Sequence, residues 1–177
     1  FGLFPAQADG DKVIFYESEK KEKELGRFDF DLCIGKGRKD KFSIGQYFHS
    51  VESGQLDAIG LQITTAGVGV EAGIQSFKEQ NDSESALYLQ GLSDRVAEDM
   101  AEYIHQLLRT RAGYKKENRG QRYSPGYPAL TNLKGNSIIW NALGAEDLGV
   151  TLTDADEFYP PSTTAAVICF HKDASYS

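Results

Sequence analysis

The sequence predicts one α+β domain built on an antiparallel sheet with packed helices, and three observations carry that expectation. Apolar runs early in the chain are separated by gaps too short for a crossover helix, which leaves antiparallel pairing as their connection. Between Ser83 and about Arg109 the residues Leu89, Leu92, Val96, Met100, Tyr103, Ile104 and Leu107 recur every three or four positions, the period of a helix with one buried face. The 177 residues, 40% of them apolar, contain no internal repeat and no linker, so residues 1–177 read as a single domain with its own core.

Taken in order, Val13 to Tyr16 reads as a strand, and the charged run Glu17 to Glu24 as the solvated hairpin or loop after it. Phe28, Phe30, Leu32 and Ile34 alternate with Asp29, Asp31 and Cys33, the period-2 pattern of a strand with one buried face. Gly35 to Lys41 reads as a turn, Ser43 to Val51 as a short helix, Asp57 to Thr65 as a buried strand and Gly69 to Gln80 as a helix. The long helix takes its cap from Asp82 or Ser83 and is expected to pack on the sheet through Leu92, Val96, Met100 and Leu107. Gly113 to Pro128 then reads as loop, Ser137 to Leu148 as an amphipathic helix stopped by Gly149, and Thr164 to Phe170 as a last strand.

Composition excludes several classes of function. A net charge of −7 argues against a general nucleic-acid binder, and no apolar run approaches the length that spans a bilayer. Cys33 and Cys169 are too few and too far apart for a zinc site or a disulfide framework, and no signal peptide opens the chain, so a reducing cytoplasm is the expected setting. Because the chain begins at Phe1, it reads as a piece of a larger polypeptide.

The chemistry gathers in Arg122-Tyr123-Ser124-Pro125-Gly126-Tyr127-Pro128. Pro125 pre-sets φ at the second turn position, and Gly126 supplies the positive φ that a type II turn needs next. Such a turn lifts backbone donors off the surface, and the planar fork of Arg122 suits a carboxylate, so a small anion could sit there; an ordinary Pro-Gly loop with a solvated arginine is the alternative that the residues alone favour. Arg109, Arg111, Lys115, Lys116, Arg119 and Arg122 share their segment with only Glu117, a basic stretch in an acidic chain.

Rival constellations are weaker. Gly67-Val68-Gly69-x-x-x-Gly73 lies between a strand and a helix as a dinucleotide turn would, but its third glycine is displaced and no second parallel strand follows. Glu98, Glu102 and His105 share one helix face, and Glu102-x-x-His105 has di-iron spacing, yet a single such motif builds no metal centre. Cys169 and His171 would share a strand face without a positioned acid or oxyanion donor, and the interleaved Tyr114, Tyr123 and Tyr127 suit stacked bases only in a chain less acidic than this one.

The Arg122 segment resembles the R-x-x-P-G-Y-P signature of the S-adenosylmethionine (SAM)-binding activation domain of cobalamin-dependent methionine synthase. Gly2 to Ala6 followed by Gly10-Asp11 resembles that family's G-L-F-P-A…G-D opening, and Leu92 to Glu98 its L-A-D-R-L-A-E helix. Ala101 to His105 is similar to A-E-Y-L-H, while Leu152-Thr153 and His171 fall where the family has L-T and F-S-H-P.

The resemblance implies a domain that binds SAM and presents its methyl group for reductive remethylation, or reactivation, of cob(II)alamin in methionine synthase. Cobalamin would be supplied by a cobalamin-binding domain of the same or a partner protein, and the electron by a flavodoxin-type reductant. The chain would thus be part of a methyltransferase, a monomer in isolation, without turnover alone and without membrane or nucleic-acid partners. By the same resemblance Arg122 would engage the SAM carboxylate, Ser124, Gly126 and Tyr127 would wrap the ligand largely through backbone groups, and Glu98 would face its ammonium or sulfonium. The family's Tyr-Phe pair near the ligand falls at Ile168 and Cys169, where only backbone contacts could survive, and its upstream aspartate and N-terminal helical segment precede Phe1. Those departures leave open a degenerate or stand-alone relative that docks a corrinoid protein and binds SAM weakly or not at all. A nucleotide-binding domain using the Gly67 loop is the third reading.

Overall fold

The computed structural model describes residues 1–34, 41–114 and 119–175. Its centre is a six-stranded sheet ordered β3-β2-β1-β4-β8-β5, in which every neighbouring pair is antiparallel. The strands are β1 (Gly2–Asp9), β2 (Lys12–Tyr16), β3 (Glu24–Asp29), β4 (Asp57–Thr65), β5 (Gln121–Tyr123) and β8 (Thr163–Cys169), while β6 (Thr151–Leu152) and β7 (Phe158–Tyr159) form a separate ribbon. Helices α1 (Val70–Glu79), α2 (Ser83–Arg111) and α3 (Lys134–Leu143) complete the domain, and the α+β expectation holds. None of the described helices is long and apolar enough to cross a membrane.

Strand β1 contains Pro5, a residue that removes a ladder donor and hides the strand from a reading of periodicity. It is tolerated because the first half of β1 is laddered on one side only: residues 2–6 pair with β4, whereas pairing with β2 begins at Ala6. Strand β4 matches the expected Asp57 to Thr65, and the charged 17–23 segment joins β2 to β3. Strand β3 departs from expectation. It starts at Glu24 and ends at Asp29, so Phe28 and Phe30 are buried but Leu32 and Ile34 are exposed and Cys33 turns inward. The alternation ends where Asp31 leaves the ladder, accepting from the Thr131 amide at 2.8 Å and hydroxyl at 2.7 Å. The proposed turn at Gly35 to Lys41 lies, except for Lys41, outside the described residues.

The Ser43 to Val51 helix is two 3₁₀ turns, Ile44–Tyr47 and Val51–Ser53. Helix α3 begins three residues earlier than expected and stops at Gly144, whose φ of 58° ends it before a 3₁₀ turn, Ala145–Leu148, and Gly149.

The long helix forms as expected, capped by Asp82 through the Ser85 amide at 3.0 Å, but it buries a different face. Leu92, Val96 and Met100 are exposed and Leu107 half-buried, while Ala86, Ser93, Ala97, Ala101, His105 and Leu108 are buried. The reason lies in β4. Gln62 and Thr64 point at the helix, and their side chains donate to the carbonyls of Ala101 at 3.2 Å and Ala97 at 3.1 Å. A side-chain hydrogen bond to a helix carbonyl requires the backbone to come close, and only alanine-sized side chains leave that room. Ala166, the register partner of Gln62, keeps the same face shallow.

The opposite face of the sheet carries the main core, including Phe15, Phe28, Ile59, Leu61, Val167 and Ile139 of α3. An aromatic chain runs through it, Phe4 to Phe15 to Phe28 to Phe30 to Tyr123, with ring centroids 5.4–6.3 Å apart. Helix α2 and helix α3 thus cover opposite faces, and β5 at the sheet edge is anchored on the α3 side by Tyr123.

Candidate functional site

Arg122 lies on a strand, not in the loop expected between Gly113 and Pro128. Three residues of β5 pair with β8 in the register Gln121↔Cys169, Arg122↔Ile168 and Tyr123↔Val167. Successive strand side chains point to opposite faces, so burying Tyr123 beneath α3 sends Arg122 to the α2 side. There its Nη2 lies 3.7 Å from Glu98 Oε2 and 3.8 Å from Glu102 Oε2, carboxylates one helical turn apart. Both distances are longer than hydrogen bonds, so the guanidinium is held by charge and keeps donors to offer.

The turn after β5 has the expected geometry. Gly126 takes φ 88°, and the Tyr127 amide donates to the Ser124 carbonyl at 3.3 Å across Pro125-Gly126. Its donors are less free than expected, since the Gly126 amide also donates inward, to the Leu130 carbonyl at 2.8 Å. Buried Leu130 and the Asp31–Thr131 contacts pin the far end of the loop. Helix α3 supports it from beneath, where a Cβ on Gly135 would stand 2.7 Å from Pro125 Cγ.

Between this loop, β5 and α2 opens a cleft of about 460 Å³ lined by Glu98, Arg122, Tyr123, Ser124, Tyr127, Pro128, Ala129 and Thr164. Four of the residues expected at the site, Glu98, Arg122, Ser124 and Tyr127, therefore share one cavity, and Gly126 shapes its rim. Ile168 and Cys169 do not line it. Their side chains are buried on opposite faces of the sheet, and their part in the geometry is to carry β5. The cavity juxtaposes a cation with an anion, the complement of a zwitterionic amino acid, and the aromatic ring of Tyr127 stands exposed at its mouth. Thr164 was legible only as part of a strand, and Glu102 and His105 only as a polar helix face.

His105 is almost fully buried, and burial, then the charge of Arg109 and, last, that of Arg122, pushes its pKa down to about 4 against an opposing pull from Glu102. The ring is neutral at pH 7. Cys169 is no nucleophile: burial pushes its thiol up to about 12. His171 stacks on Tyr47 at 4.7 Å. The Gly67 turn is occupied by the protein itself, because a Cβ there would stand 2.1 Å from the Pro161 carbonyl oxygen. With β4 antiparallel to both neighbours, the dinucleotide reading has no βαβ unit to rest on. Of the basic stretch, Lys115, Lys116 and Glu117 lie outside the described residues.

Residues 1–177 match the family described as vitamin B12 dependent methionine synthase, activation domain. A methionine synthase of Mycobacterium tuberculosis is 24% identical over 99% of this chain, and the chain spans 16% of that protein. In structure the chain is similar to the MetH reactivation domain crystallised with AdoHcy, with a TM-score of 0.89 and 25% identity over 99% of this chain and 59% of that one. The sequence match over the whole length and the shared antiparallel architecture place this chain in the methionine synthase activation-domain family.

Proposed function

We propose that the chain binds SAM in the Glu98–Arg122 cleft and holds it for methyl transfer to a cobalamin carried by another domain, with a flavodoxin-type protein as reductant and the cytoplasm as the setting. The observation that carries the reading is the convergence of Arg122, Glu98, Ser124 and Tyr127 on a single cavity. The cavity volume of about 460 Å³ lies in the range of small-molecule sites. Arg122 would take the ligand carboxylate, Glu98 the positive ammonium or sulfonium, and the Pro125-Gly126 turn would close over the remainder. Cobalt of the corrin supplies the methyl-accepting centre when that domain is present. This chain's contribution is binding and charge placement: it fixes the ligand's ends and leaves the face beside Tyr127 open to the partner.

Isothermal calorimetry with SAM and AdoHcy tests the reading. The wild-type chain should bind both, and Arg122→Ala should weaken SAM by about 1.5–3 kcal/mol, ten- to a hundredfold, through loss of a charge-assisted contact. Equal binding by the two forms would remove Arg122 from the site. Absence of binding by the wild type would favour a module that docks a corrinoid protein without SAM, the reading to which the aliphatic Ile168 and the thiol of Cys169 lend weight.

A further inference from the structure

Helix α2 and strand β8 run in the same direction, one helical turn against two strand residues. Thr64 and Gln62 bond to the carbonyls of Ala97 and Ala101, and their register partners on β8 are Thr164 and Ala166. A helical turn rises about 5.4 Å and two strand residues about 6.6 Å, so the match holds over a few steps. One step back, it sets Ser162 opposite Ser93 and Asp94, and there the side chains cluster. Ser162 Oγ donates to Asp94 Oδ1 at 2.5 Å, accepts from Gln90 Nε2 at 2.9 Å and lies 2.7 Å from Ser93 Oγ. Gln90 Nε2 also donates to Asp94 Oδ1 at 3.0 Å. The one proton and two lone pairs of the Ser162 hydroxyl thus meet three partners on α2.

Ser162 is held there at a conformational cost. Its φ is 62°, in the left-handed region that serine seldom takes, and its carbonyl accepts from the Ala66 amide at 3.0 Å. A residue in that region persists where its surroundings over-determine it, and such residues cluster at ligand clamps. The cleft begins one step further on. Glu98 follows Asp94 by one turn on the same flank of α2, Thr164 follows Ser162 by two residues on β8, and both line the cavity that holds Arg122.

We propose that Ser162 is a positioning residue, whose bonds to Gln90, Ser93 and Asp94 fix the roll of α2 that sets Glu98 against Arg122. Leverage singles it out. Thr64 and Gln62 hold backbone carbonyls, which lie close to the helix axis and resist a roll weakly, whereas Ser162 holds the ends of side chains, about 5 Å from the axis. A roll released at Asp94 would carry Glu98 along the same flank and change its separation of 3.7 Å from the Arg122 guanidinium.

The test uses Ser162→Ala, which removes the hydroxyl and keeps the Cβ. In the ligand-free chain the Arg122 Nε–H resonance should shift toward its position in Glu98→Ala, and should stay in place in Leu92→Ala, an exposed residue on the opposite flank. Ser162→Gly, which loses the hydroxyl but relieves the positive φ, guards against a folding failure and should shift the resonance in the same way. A consequence that rests on the SAM reading is measured by calorimetry. Ser162→Ala should weaken SAM by roughly three- to tenfold, and should weaken it no further in a chain that already carries Glu98→Ala, because both changes then act along one path. An Arg122 resonance unmoved in both Ser162 variants, or losses that add in the double variant, would overturn the positioning role. Absence of SAM binding by the wild type would overturn the SAM reading and leave the ligand-free resonance to decide this one.

Discussion

Arg122 owes its orientation to Tyr123, which fills the core on one face of the sheet and so turns its neighbour to the other. Glu98, which lines the cleft, and Glu102, one helical turn further along α2, both face the Arg122 guanidinium. If Glu102 orients Arg122 for a carboxylate, Glu102→Gln should weaken SAM several-fold yet leave decarboxylated SAM unaffected; equal losses for both ligands would show a general structural effect. Arg122→Lys should restore part of the binding lost in Arg122→Ala, because an ammonium keeps the charge without the fork. His105 predicts a pH dependence. Its folded pKa, about 4, lies below the unfolded value, so as pH falls through 6.5 the unfolded chain takes up the proton first. Stability from this group is therefore complete above about 6.5, is lost down to about 4 and changes no further below that, a total of roughly 3 kcal/mol. Urea denaturation at pH 7 and pH 4.5 should show a steeper loss for wild type than for His105→Gln, which lacks this term; parallel losses would mean that the ring is not buried neutral.

At the scale of the element, α2 is held by close approach and not by its largest side chains. Ala101, fully buried, lies where Gln62 reaches the helix carbonyl, so Ala101→Leu should cost about 1–3 kcal/mol by overpacking and by breaking that hydrogen bond. Leu92→Ala, on the exposed stripe, should stay within about 0.5 kcal/mol of wild type. Thermal melts of the two variants check the ranking, and a larger loss for Leu92→Ala would return the buried face to the leucine stripe. Helix α3 acts on the site through packing alone. Gly135→Ala would push on Pro125 and displace the turn, and should lower SAM affinity although residue 135 does not line the cleft. Calorimetry on that variant measures the effect.

For the molecule as a whole, the antiparallel sheet with helices on both faces leaves the cleft of Glu98 and Arg122 at one edge, open beside Tyr127. The chain covers 16% of the methionine synthase it matches, and methyl transfer should accordingly require an added cobalamin domain and a reductant. Incubated with homocysteine and SAM by itself, the chain should form no methionine. Methionine formed by the chain alone would reveal a catalytic site of its own.

Local pattern and turn chemistry made several features readable in advance. Strand β4, the long helix with its Asp82 cap, and the Pro125-Gly126 turn follow from hydrophobic period, a capping carboxylate and a positive φ, each a property of neighbouring residues. The motif around Arg122 was equally local, and it led to the family and to residues that line one cleft. What lay beyond reach depended on partners distant in sequence. Strand β5 is three residues long and exists because β8 offers it a ladder, and β1 accommodates Pro5 because one side of that stretch has no strand to pair with. The buried face of α2 was decided by Gln62 and Thr64, 39 and 33 residues from the carbonyls they hold, so that alanines went inward and leucines outward. The same docking sets Glu98 and Glu102 over Arg122. Residue type and spacing determined which groups could carry the chemistry; the depth at which one helix settles on the sheet determined which of them meet.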